Sequence, residues 1–172
     1  MRLPAASSLV VVLGLAAATP ADAVHLQLQA GRSYMDTYAS NAAFVEAVFD
    51  SRRIGDSRVS WAPDVSVGWI NGRDLARYRD NRYSTRDDVW LLAAGARLQY
   101  DAAGDGRGLF LSVQPALQRG RTQALSSGYE FVSTLGWQGR RFSLQLRHVS
   151  NAGLHSPNRG ETMALVGVGF DL

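Results

Sequence analysis

From Val24 onward the chain alternates apolar and polar residues with a period of two, and the pattern returns segment after segment. A period of two is the pleat of a β-strand with one face against something oily; a helix would repeat near 3.6. In "VHLQLQA" the apolar phase holds Val24, Leu26, Leu28 and Ala30, and in "RVSWAPDVSVGWI" it holds Val59, Trp61, Pro63, Val65, Val67 and Trp69. "VWLLAAGARLQY" continues it with Trp90, Leu92, Ala94, Ala96, Leu98 and Tyr100, and "LFLSVQPAL" with Leu109, Leu111, Val113, Pro115 and Leu117. Tyr129, Phe131, Leu135 and Trp137 follow, then Phe142, Leu144 and Leu146, and finally Val166, Val168, Phe170 and Leu172. With a weaker strand near Ala43 to Ser51, the pattern predicts eight strands.

Two architectures use such strands. A soluble sandwich turns its apolar faces inward, and an outer-membrane barrel turns them to lipid. The start of the chain, "MRLPAASSLVVVLGLAAATPADAV", helps to choose. It has a basic residue (Arg2), an apolar run from Leu9 to Ala18 and an Ala21-Asp22-Ala23 cleavage site. That order marks a secretory signal peptide over residues 1–23 rather than a membrane span, leaving residues 24–172 as the mature domain. No later segment is a long apolar run, so a helical membrane protein is excluded. The chain has no cysteine. Aromatic residues stand at several strand ends (Trp69, Trp90, Tyr100, Tyr129, Trp137), as in the girdles of membrane barrels. These features favour an all-β, eight-stranded antiparallel transmembrane β-barrel in the bacterial outer membrane. A barrel of this size is filled by side chains and has no pore.

Loop lengths orient it. "RRIGDS", "DAAGDGRG" and "QGR" are short, and the connections around Ser33–Asn41, Asn71–Asp88, Arg119–Ser127 and Asn151–Gly160 are read as the longer, outer loops. Both termini are then periplasmic. In "LQLRHVSNAGLHSPNRGE" this places His148 and Ser150 at the outer end of the seventh strand, in phase with Leu144 and Leu146 and facing lipid.

A serine needs a neighbouring base to act as a nucleophile, and residues i and i+2 of a strand point the same way, so His148 can serve Ser150. Polar residues also occur at any membrane boundary, and spacing alone does not separate the two readings. The run His148-Val149-Ser150-Asn151-Ala152-Gly153-Leu154, followed by Pro157-Asn158 and Gly160, resembles the C-terminal motif of the lipid A 3-O-deacylases of the PagL type. The resemblance implies an eight-stranded outer-membrane barrel. It also implies a serine esterase that hydrolyses the 3-position hydroxyacyl ester of lipid A without metal or other cofactor. Carried over, Ser150 is the nucleophile and His148 the base. The family's acid falls on Thr162 here, with Glu161 one residue early. Glu161 is expected to complete the triad through an irregular loop end; otherwise a dyad operates, with Thr162 or a backbone carbonyl orienting the histidine. Asn151, Gly153 and Asn158 are the expected oxyanion donors.

Arg73, Arg77, Arg79, Arg82, Arg86, Arg119, Arg121 and Arg159 lie in or beside the predicted outer loops, where guanidinium groups suit lipopolysaccharide phosphates. Asp74, Asp80, Asp87 and Asp88 share the longest loop and are alternative partners. His25 is expected to face the lumen and His155 to lie in the last loop, neither at metal-ligand spacing. Lipopolysaccharide and the outer membrane are the expected partners, nucleic acid is not, and a homodimer is compatible with the reading. The rival functions are a non-catalytic structural or adhesive barrel and another outer-membrane lipid esterase or acyltransferase.

Overall fold

The computed structural model describes residues 24–172; the predicted signal peptide lies outside the described residues. Eight long strands carry the fold: β1 (His25–Met35), β2 (Tyr38–Val48), β3 (Val59–Ile70), β4 (Val89–Tyr100), β5 (Gly108–Arg119), β6 (Tyr129–Gln138), β7 (Phe142–Ser150) and β8 (Glu161–Asp171). Each pairs antiparallel with the next, β8 closes on β1, and a two-residue segment, Arg52–Arg53, adds a short ladder beside the start of β3. Closure leaves the barrel no open edge, which a lipid environment requires because nothing there can hydrogen-bond a free backbone group.

The apolar phase points outward. Leu28, Leu92, Leu111, Leu135, Leu144 and Val166 are among the exposed large hydrophobic residues. A soluble sandwich would bury these side chains, so the membrane barrel holds and the sandwich does not. The first outer connection differs from the sequence reading. Ser33–Asn41 is not a long loop: β1 and β2 form a continuous hairpin in which Met35 pairs with Tyr38, and Asp36 turns the chain with φ of 53°. The second strand accordingly runs from Tyr38 rather than from near Ala43. Its outward phase, Ala39, Asn41 and Ala43, is small or polar, so the alternation there carries little contrast.

The interior has two storeys. In the lower one the Glu46 carboxylate sits between Arg97 (2.9 Å) and Arg147 (2.8 Å), all three fully buried. Gln29 donates to Glu46 at 2.5 Å and Arg147 to Thr134 at 2.9 Å. The two guanidinium groups lie over the rings of Phe110 and Phe44, 3.9 and 4.3 Å from the centroids. Toward the outer end the filling becomes apolar: Met35, Phe44, Ile70, Leu91, Val132, Val149, Met163 and Leu165 form one buried cluster with Tyr78 and Leu125. The last two come from outer loops folded into the mouth. The inner phase is thus polar in its lower half and largely apolar above it, apart from the Arg73–Glu161 ion pair near the outer rim. His25 does face inward at the periplasmic end, with its Nδ1 2.6 Å from Asp171.

The lower cluster carries two cations on one carboxylate, and removing one partner of a buried ion pair typically costs about 3–5 kcal/mol. Glu46→Gln should lower the unfolding free energy by about that much in urea titrations of the micelle-inserted barrel. Glu46→Gln combined with Arg97→Gln should recover part of it.

Candidate active site

β7 delivers two kinds of side chain from adjacent positions. Arg147 and Val149 point into the lumen and are fully buried, while His148 and Ser150 lie on the outer face with Leu144 and Leu146. Register fixes the neighbours. His148 is opposite Ser133 of β6 on one side and Thr162 of β8 on the other, and Thr162 is opposite Tyr34 of β1. One rung toward the periplasm run Leu135, Leu146, Ala164, Arg32 and Asn41. The outer wall of β6, β7, β8, β1 and β2 thus gathers Ser133, His148, Ser150, Thr162, Tyr34, Arg32 and Asn41 onto one patch.

The histidine is held from both ends. Its Nδ1 is 3.0 Å from Thr162 Oγ1. Its other end overhangs Gly160, where an added Cβ would stand 2.8 Å from Cε1 and 3.3 Å from Nε2. Gly160 also has φ of 70°, a region that side-chain-bearing residues rarely occupy. The ring therefore lies along the strand with Nε2 turned toward the rung of Ser150. Ser150 pairs with Phe131 and stands one residue past the last rung shared with β8. Positions i and i+2 of a strand are about 7 Å apart. No hydrogen bond joins His148 to Ser150 here, and such contacts often tighten only when substrate is bound.

Glu161 does not reach the histidine. It points into the barrel, where Arg73 donates to both carboxylate oxygens at 2.6 and 2.8 Å and Ser33 Oγ donates at 2.5 Å. Arg73 also donates to Ser40 Oγ at 3.0 Å, and the Arg73 and Glu161 side chains are 8% and 3% exposed. The strand stays regular through this point (Val149 pairs with Glu161 and His148 with Thr162), so alternation sends the carboxylate inward and the threonine outward. The irregular loop end expected for a triad through Glu161 is absent. Arg73, read from sequence as a lipopolysaccharide contact, is an internal clamp at the base of the last outer loop.

That loop, residues 151–160, is pinned by its own first residue. Asn151 is fully buried; its Oδ1 accepts from the backbone N–H of Gly153 (3.1 Å) and His155 (3.4 Å), and its Nδ2 donates to the His155 carbonyl at 3.1 Å. Ala152 and Gly153 turn the chain with φ of 56° and 79°. The loop 120–128 braces it from below, with Ser126 Oγ donating to the Pro157 carbonyl (2.6 Å) and Gly160 N–H to the Ala124 carbonyl (3.0 Å). Of the three expected oxyanion donors, Asn151 and Gly153 already spend their hydrogen bonds inside the loop. Asn158 differs: its Oδ1 accepts from the Asn151 N–H at 3.4 Å, one peptide from Ser150, and its amide Nδ2 has no protein partner among the described residues.

The outer-loop arginines divide. Arg79 and Arg86 both grip Asp74, and the hydrogen bond from Arg79 is the main reason that carboxyl is held well below the usual range. Arg159 pairs with Asp36 at 2.5 Å. Arg77 stacks over Tyr78 and lies 3.7 Å from Asp36. Arg82, Arg119 and Arg121 form no ion pair among the described residues. Ser133, Tyr34, Arg32 and Asn41 were not singled out from sequence, although Ser133, Arg32 and Asn41 each interrupt the apolar phase of their strands.

A closed eight-stranded barrel with an apolar outer wall, carrying a polar patch at its outer rim, defines the class: an outer-membrane β-barrel. The model of the lipid A 3-O-deacylase (PagL) family matches residues 55–171, and the chain belongs to that family. Its reaction is removal of the 3-position acyl chain of lipid A. The crystal structure of the outer membrane enzyme PagL has the same fold, with a TM-score of 0.62 at 16% identity, covering 85% of this chain and 98% of that one. The Yersinia pestis outer membrane protein Ail, in a phospholipid bilayer nanodisc, gives a TM-score of 0.47 at 12% identity, covering 87% of this chain and 100% of that one. No curated protein matches the chain in sequence.

Two sets of variants probe this geometry. Gly160→Ala should displace the imidazole and lower the deacylation rate at least about tenfold while the barrel still folds. Arg73→Gln or Glu161→Gln alone strands a buried charge, so each should impair folding and turnover, and the Arg73→Gln/Glu161→Gln double variant should be closer to wild type than either. A double variant as inactive as Glu161→Gln would instead make that carboxylate part of the chemistry.

Proposed function

We propose that this deacylase works as a lipid-facing serine esterase in which Ser150 is the nucleophile, His148 the base and Thr162 the group that orients the base. The observation that carries the reading is the 3.0 Å contact between His148 Nδ1 and Thr162 Oγ1 on the same outward face as Ser150. With Nδ1–H donating to the threonine hydroxyl, Nε2 keeps its lone pair and faces the nucleophile's rung.

The substrate reaches the site laterally within the outer leaflet. Its 3-position acyl chain lies along the apolar wall and its ester carbonyl meets Ser150. As Ser150 Oγ attacks the carbonyl carbon, His148 Nε2 takes the hydroxyl proton. The Asn158 amide Nδ2 donates to the oxyanion of the tetrahedral intermediate, preorganised by the bond from Asn151 N–H to its Oδ1. Collapse expels the sugar oxygen, which takes the proton back from the imidazolium. Water then attacks the acyl-serine, gives a proton to His148, and frees the hydroxy fatty acid with Ser150 restored. A threonine hydroxyl can accept from Nδ1–H as a carboxylate would, but it can also donate, so it holds the tautomer less firmly and adds no negative charge beside the imidazolium.

Mass spectrometry of lipid A from cells expressing the protein is the decisive test. Wild type should remove one hydroxyacyl chain and Ser150→Ala none. An unchanged lipid A mass with correctly inserted wild type would overturn the reading in favour of a non-catalytic barrel, and transfer of the chain to another lipid would make the enzyme an acyltransferase. Thr162→Val should lower kcat about tenfold with little change in KM. Thr162→Glu, which sets a carboxylate against Nδ1, should raise kcat above wild type.

A further inference from the structure

The outward phase of the barrel contains two arginines. Arg119 is the last residue of β5, at the loop margin. Arg32 lies within β1, three residues before its end, and directs its side chain to the lipid side between Ala164 of β8 and Asn41 of β2. Arg32 Nη1 donates to Asn41 Oδ1. Among the described residues no carboxylate lies within ion-pair distance of it: Glu161 and Glu46 on the paired strands point into the lumen, and Asp36 at the hairpin tip pairs with Arg159. A guanidinium on a lipid-facing wall is unfavourable unless it meets the headgroup layer or an anion.

Its surroundings are shaped for a ligand. Ala30, Ala43 and Ala164 flank it on the same face, where other walls carry Leu, Trp or Phe, so the arginine lies on a shallow shelf. The shelf adjoins the catalytic rung. Arg32 is two strands over from β7 and one rung below His148, about 12 Å from it along the wall at ordinary strand spacing and rise. That separation is shorter than a sugar ring, its substituent and an arginine side chain together can span.

We propose that Arg32, with Asn41 beside it, is a phosphate subsite for the lipid A substrate. The guanidinium takes two oxygens of the glycosidic phosphomonoester of the disaccharide and so holds the sugar with its 3-position ester over Ser150. Guanidinium suits this role because its planar fork matches phosphate oxygens pairwise. The proposal rests on the deacylase reading and adds the part of the substrate that the protein recognises.

The test compares Arg32→Gln and Arg32→Lys with wild type on bisphosphorylated lipid A and on monophosphorylated lipid A, from which mild acid has removed the glycosidic phosphate. Arg32→Gln should raise KM about tenfold on the bisphosphorylated substrate, with kcat within about twofold and no change on the monophosphorylated one. Arg32→Lys should recover part of the loss. An unchanged KM on the bisphosphorylated substrate, or an equal loss on both, overturns the proposal. Native mass spectrometry of the catalytically silent Ser150→Ala protein separates this from the mechanism. It should retain bisphosphorylated lipid A in preference to monophosphorylated, and lose that preference when Arg32→Gln is added. If wild type proves inactive but this preference persists, the mechanism fails and the subsite stands. Displacement of the bound glycolipid by phosphatidylglycerol at equal concentration would make the site a general phospholipid-headgroup contact and overturn its assignment to the substrate.

Discussion

Hydrocarbon offers a backbone no hydrogen bonds, and most of this structure follows from that. Each strand must pair on both sides, which forces closure, and closure makes the side of every residue a matter of parity. Parity cannot be corrected locally, because a one-residue slip would turn a whole strand's apolar phase inward. On β7 it assigns Arg147 and Val149 to the core and His148 and Ser150 to lipid, from four consecutive positions. The same strand thereby supplies a buried arginine for the central ion cluster and the proposed base and nucleophile on the outside wall. The rigidity of the one supports the placement of the other.

Parity also decides between the two residues that could partner the histidine. Glu161 and Thr162 are adjacent, and a charge would serve His148 better than a hydroxyl. The carboxylate is nevertheless on the inner side, where a guanidinium neutralises it and Ser33 and Ser40 add hydrogen bonds to the pair. To bring Glu161 outward, the start of β8 would have to give up its rungs to β7 and β1 and leave Arg73 buried without a counter-charge. Those losses exceed what one improved contact to an imidazole can return. The ion pair still bears on the site, since it anchors the residue between Gly160, which makes room for the ring, and Thr162, which holds it.

Much of this was legible before any coordinates. Seven of the strands stand out because leucine, valine and tryptophan contrast with serine, glutamine and arginine at every second position. β2 was blurred because its lipid-facing residues include Ala39, Asn41 and Ala43, the last of which also flanks Arg32. His148 and Ser150 were found because they break an otherwise greasy phase. Ser133 and Arg32 break theirs in the same way, but a strand read alone does not reveal that the interruptions fall side by side. That is a property of register, which depends on turn lengths, and the β1–β2 turn was the one misjudged. The loop donors were hidden for another reason. Asn151, Gly153 and Asn158 are equivalent as residue types, and only the hydrogen bonds inside the loop show that the first two are already occupied.

A polar patch on a lipid-facing wall is unfavourable for a resting barrel, since serine, threonine, histidine and arginine all lose hydration as they approach acyl chains. Its members are nonetheless concentrated on neighbouring strands at the outer rim, beside residues small enough to let a headgroup approach. A barrel concerned only with stability would scatter such residues or replace them with leucine, as the wall of β5 does with Leu109, Leu111 and Leu117. An amphiphile that presents its sugar, its phosphates and the start of an acyl chain at that depth would satisfy every one of these groups at once. On the proposed reading, the patch is matched to the glycolipid that the enzyme deacylates.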